Sequence, residues 1–75
     1  MEKKIYTKAA ADGIYKEVFG VKSQILPGQS ALGSYRTMAN EIKLNHNNDA
    51  EMFKKLNELI MPYYEDIKAN PNKVI

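Results

Sequence analysis

Met52, Phe53, Leu56, Leu59, Ile60, Tyr63, Tyr64 and Ile67 recur at the i, i+3, i+4 spacing that stacks side chains along one face of an α-helix. At about 100° per residue they fill an arc of roughly 140°, with Lys54, Lys55, Glu58 and Glu65 outside it. A stripe this wide has to be covered, so the segment demands apolar partners from the rest of the chain. Its start is marked as well: Asn48 is a candidate N-cap, Asp49 and Glu51 put negative charge in the first turn, and Glu51 stands where a capping-box acid would be. Pro62 lies inside the stripe, where it has no amide hydrogen to donate and crowds the carbonyl four residues back. The apolar phase continues across it, which predicts a helix kinked or split at Pro62 and not one that ends there.

A second helix is legible upstream. Leu32, Tyr35, Met38, Ala39 and Ile42 lie within an arc of roughly 120°, preceded by Ser30 as a candidate N-cap. Before it, Leu26-Pro27-Gly28-Gln29 has proline and glycine where a type II turn wants them. After it, Asn45-His46-Asn47-Asn48 is a polar run whose short side chains compete for backbone hydrogen bonds and so end the helix.

The first third of the chain divides opinion with itself. Ile14, Tyr15, Val18 and Phe19 make a helical face that stops at Gly20, a suitable C-cap, while Ile5 and Tyr6 fall off that face. Asp12-Gly13 is a favoured hairpin turn, yet inside a helix the glycine costs only about 1 kcal/mol, and Ala9, Ala10 and Ala11 disfavour a strand. The expectation is a helix, continuous or broken at Gly13, with an N-terminal β-hairpin around Asp12-Gly13 as the alternative. The whole reads as an all-α bundle of three helices in a single domain, residues 1–75, with residues 70–75 as a flexible tail.

Size and composition bound the function. A domain of 75 residues buries only about 60% of its unfolded surface, which leaves little room for an enclosed catalytic cleft. Cysteine is absent, so disulfides, thiol catalysis and zinc-thiolate sites are excluded together. The opening residues lack the continuous apolar core of a secretory signal, and no apolar run approaches the roughly 18 residues that span a bilayer. A cytoplasmic protein is the expectation. The net charge of +2 is spread along the chain, with a lysine-rich first third, a slightly acidic last third and a single arginine, Arg36.

The chemistry-bearing residues are few. His46 is the only histidine and sits in a polar loop, where a turn-forming role is the simplest. Asn45, Asn47 and Asp49 alternate as ligands of a calcium loop do, but Ala50 stands where glycine is needed and Leu56 where a bidentate glutamate is needed. Glu65-Asp66 and Asp49-Glu51 are more simply solvated helix faces and dipole partners than an acid/base pair. The expectation is a protein that is not an enzyme and that carries no metal and no cofactor.

Two binding functions follow. Residues 38–56, MANEIKLNHNNDAEMFKKL, resemble the general helix-turn-helix pattern, with Ala39 as the small residue at the helix approach, Ile42 as the apolar residue after it and Lys43-Leu44-Asn45 in the turn. That resemblance implies a nucleic-acid surface made of Arg36, Lys43, Asn47, Lys54 and Lys55. Against it, the usual apolar anchor of the second helix falls on Asp49 unless one residue is added to the turn, and Asp49 and Glu51 would face phosphates. The favoured expectation is a protein-interaction module, a regulator, inhibitor or immunity-type protein of the sort common in phage and mobile-element genomes. It would engage a protein partner or a second copy of itself through helical faces. The excess of adaptable apolar residues supports this, and Met61, Tyr63 and Tyr64 beside Pro62 are its candidate contacts.

Overall fold

The stripe around Leu56 finds its cover in two other helices. The computed structural model describes residues 4–75; Met1, Glu2 and Lys3, counted in the charge balance and in the single domain, lie outside them. The elements are α1 (Lys8–Phe19), α2 (Ala31–Asn45), α3 (Ala50–Ile60), a 3₁₀ turn (Met61–Tyr63) and α4 (Tyr64–Ala69). This is a small all-α bundle of three helices, the third assembled from α3, the 3₁₀ turn and α4. α3 packs against both α1 and α2. Among the described residues there is no strand, only an isolated antiparallel bridge between Ser30 and Val74.

α1 begins at Thr7, whose hydroxyl accepts from the Ala10 amide at 3.2 Å, and ends at Gly20, left-handed at φ 71°. It runs through Asp12-Gly13 without a break, so the β-hairpin alternative does not form. The reason is energetic: a helix buries Ala11, Ile14, Tyr15 and Val18 on one face. Burial of each large side chain contributes about 1.5–3 kcal/mol, which outweighs the glycine. Asp12 has other work than turn formation. It pairs with Lys8 one helical turn earlier at 3.0 Å and accepts from the Ser23 hydroxyl at 2.6 Å.

α2 is capped by Ser30, whose hydroxyl accepts from the Gly33 amide at 3.0 Å, and Gly28 takes the positive φ of 85° that a type II turn requires. At its other end Asn47 and Asn48 are both left-handed, at φ 53° and 55°, and the amides of His46 and Asn48 both donate to the Ile42 carbonyl. Asn48 therefore closes α2, and the N-cap of α3 is Asp49, one residue later than the sequence suggests. Its carboxylate accepts from the amides of Glu51 at 2.9 Å and Met52 at 3.2 Å. The His46 ring lies 5.5 Å from Phe19, which in turn packs at a tilt against Tyr15, so the loop histidine contacts the end of α1.

Pro62 splits the third helix as its chemistry requires. The amide it lacks would have bonded one turn back, and the chain tightens into the 3₁₀ turn before α4 restarts.

One expectation about exposure is overturned at α4. Asp66, read as part of a solvated acidic face, is buried and accepts from the Tyr6 amide at 2.7 Å, from the Asn70 side chain at 3.1 Å and from the Lys73 ammonium. Residues 70–75, read as a flexible tail, form a strap along the start of α2. The amides of Ala31 and Leu32 donate to the carbonyls of Lys73 and Pro71 at 2.8 and 3.0 Å, and that of Ile75 to Gln29 at 3.0 Å. The first amides of a helix have no partner within it, and the strap supplies one. A buried Tyr6 completes the arrangement. Ser34 spends its proton on the Ala31 carbonyl, so the Tyr6 hydroxyl donates to Ser34 at 2.8 Å.

Two measurements check these assignments. Gly13 is exposed within α1, and nothing lies within 4 Å of where its Cβ would be. Gly13→Ala should raise stability by about 0.5–1 kcal/mol in urea unfolding, whereas a hairpin turn there would make it destabilising. The Lys73 ammonium, then the Tyr6 amide, hold the Asp66 carboxyl below its usual value. A carboxyl depressed in the folded state stabilises in full above its unfolded value of about 3.9 and loses that contribution as pH falls through the folded one. The wild-type unfolding midpoint should therefore fall more steeply below about pH 4 than that of Asp66→Asn.

Candidate functional site

The break at Pro62 leaves an apolar concavity on the surface. It is lined by Leu32 and Tyr35 of α2, Asn57 and Ile60 of α3, Met61 of the 3₁₀ turn, and Tyr64 and Ile67 of α4. The groove has a volume of about 440 Å³. Its exposed apolar residues decide its character: Met61 is 69% and Tyr64 is 54% accessible, while Ile60 and Ile67 behind them are buried. The Tyr35 hydroxyl donates to Asn57 Oδ1 at 3.1 Å and ties α2 to α3 at the groove edge. The Lys68 ammonium lies 5.9 Å from the centre of the Tyr64 ring, a contact of about 0.5–1 kcal/mol at an exposed position that restrains the ring.

Of the three candidate partner contacts, the structure brings Met61 and Tyr64 together and separates Tyr63. Successive residues of a 3₁₀ turn are about 120° apart, so neighbours in sequence point in different directions. Tyr63 turns toward the core and packs on Tyr6, ring centres 5.5 Å apart and planes inclined at 57°. Leu32, Tyr35 and Asn57 also line the groove and are not among the contacts the sequence points to. Leu32 and Tyr35 had a signal, as the i, i+3 pair at the start of the α2 stripe; Asn57, one of several polar residues on α3, had none.

Arg36, Lys43, Asn47, Lys54 and Lys55 are all exposed. Their frame differs from the one the helix-turn-helix resemblance needs. Lys43, Leu44 and Asn45 are the last residues of α2 and not a turn. The second helix begins at Ala50, and both Asp49 and Ala50, the two residues that could fill the anchor position, are exposed. The corner is instead made by the two left-handed asparagines, with Asp49 and Glu51 presented at the start of α3.

A second concavity runs along α1 and the following loop, lined by Lys8, Asp12, Lys16, Lys22 and Ser23. Its one carboxylate is committed: the Ser23 hydroxyl first, and Lys8 after it, hold Asp12 ionised below its usual value. Among the described residues no three histidine, aspartate or glutamate side chains come together as metal ligands would, and no helix is long and apolar enough to cross a membrane. No family model, curated protein or solved structure matches the chain.

The groove residues are separable from the core by stability. Met61→Ser and Tyr64→Ser should each shift the free energy of unfolding by no more than about 0.5 kcal/mol, as surface changes do, against about 2–5 kcal/mol for Leu56→Ala. A loss at Tyr64 equal to that at Leu56 in urea unfolding would make Tyr64 a core residue.

Proposed function

We propose that this chain is a non-enzymatic protein-interaction module, of the regulator, inhibitor or immunity type, that docks a protein partner in the groove beside Pro62. The observation that carries the reading is the exposure of Met61 and Tyr64 across an apolar groove whose floor is already packed. A flexible methionine and a rigid tyrosine are the side chains that interfaces favour, the one adaptable and the other large at small entropic loss. The mechanism is docking or occlusion. An apolar anchor from the partner fills the groove between Tyr64 and Leu32, water leaves, and the polar edge at Tyr35, Asn57 and Lys68 fixes orientation.

Nucleic acid is the weaker partner, because the corner between α2 and α3 offers carboxylates where phosphates would lie and no buried anchor to hold the second helix.

Site-specific photocrosslinking in cells tests the proposal. A photoreactive phenylalanine replacing Tyr64 should give a discrete crosslinked protein band that the same group at Lys54 does not, and Met61→Ser should weaken it. Equal crosslinking at both positions, or none at Tyr64, rejects the groove as a docking surface. Salt-sensitive binding of duplex DNA at micromolar protein would favour the nucleic-acid reading instead.

A further inference from the structure

The two sides of the groove belong to α2 and α4, and among the described helical elements α4 packs most closely on the 3₁₀ turn that leads into it. Its ties to α2 run through the segments at either end of the chain. Tyr6 makes the first bridge, its amide donating to Asp66 Oδ2 on α4 at 2.7 Å and its hydroxyl to Ser34 on α2 at 2.8 Å. The strap makes the second. Lys73 pairs with the same oxygen of Asp66, while the carbonyls of Pro71 and Lys73 accept from the amides of Leu32 and Ala31. Asn70 adds a bond to the other oxygen at 3.1 Å. Both bridges thus end on one buried carboxylate, whose charge keeps these donors in place because little water can replace them. At the other end of α4, the missing amide of Pro62 leaves the 3₁₀ turn as the place where a change of direction meets least resistance.

We infer that Asp66 is a latch that sets the spacing of Leu32 and Ile67 across the groove. With Asp66 engaged, the N-terminal arm and the C-terminal strap hold α4 against the start of α2. With it released, both detach together and α4 turns about the 3₁₀ turn, changing the groove that the proposed partner would enter. The inference refines the docking reading, and its test needs no partner.

Amide hydrogen exchange by NMR on the full chain compares wild type, Asp66→Ala and Lys73→Met. In Asp66→Ala the amides of Tyr6, Ala31, Leu32 and Ile75 should lose protection by about tenfold or more, with shifted Leu32 and Ile67 methyl signals. The α3 amides around Leu56 should keep theirs. In Lys73→Met the amides of Ala31, Leu32 and Ile75 should lose protection and that of Tyr6 should not. Wild-type protection at Tyr6 and the strap in Asp66→Ala overturns the latch, as does a uniform loss that includes α3. Should Asp66→Ala not fold, unchanged protection at Ala31 and Leu32 in Lys73→Met overturns it alone. Failure here leaves crosslinking at Tyr64 unaffected, and failure of crosslinking leaves the latch standing.

Discussion

The fold depends on covering Leu56. The α3 stripe is covered by two helices at once, and Ile14, Tyr15 and Val18 of α1 join Met38 and Ile42 of α2 in one core with Leu56 and Ile60. In so short a chain no other element can supply that cover, so α1 accepts an exposed glycine in mid-helix and α2 reaches its full length before the asparagine corner turns it. Pro62 breaks the third helix only after that requirement has been met. Once Leu56 and Ile60 are buried, the chain beyond Pro62 needs only to place Ile67 on the remaining apolar edge, which a short α4 does.

What could be read in the sequence is what local chemistry decides. The 3.6-residue period marked all three apolar stripes, Ser30 and Gly20 marked helix ends, and Pro27-Gly28 marked the turn between the first two helices. The α3 cap slipped by one residue because asparagine and aspartate both favour the position, and the choice went to the side chain not already needed in a left-handed turn. Asp66 was illegible for a different reason. Two of its partners are Tyr6, sixty residues away, and Lys73 in a segment with no periodicity; only Asn70, one turn on, and a place at the edge of the apolar arc set it apart from the exposed Glu65 beside it. The strap was hidden similarly, since its bonds to α2 are made by backbone groups that every residue carries.

The groove was half legible. Met61 stood out by lying off the apolar stripe, and Tyr64 by being a stripe residue just beyond Pro62. Periodicity treats Tyr63 and Tyr64 as one pair, because it assumes a constant angle per residue. The 3₁₀ turn changes that angle, and the pair divides into one ring for the core and one for the surface. A helix without Pro62 would carry the apolar phase smoothly through this point, and the concavity between α2 and α4 would have no bend to open it.

The convergence of Tyr6 and Lys73 on one oxygen of Asp66 also says something about chain connectivity. Tyr6 near one end of the described polypeptide and Lys73 near the other meet at the same spot, while the exposed Pro27-Gly28 turn takes no part in that junction. A circularly permuted chain, with its ends joined by a short linker and reopened at Pro27-Gly28, would keep each helix and the Asp66 junction whole. For this bundle the order in which the helices are strung together is secondary to the point at which the string is tied.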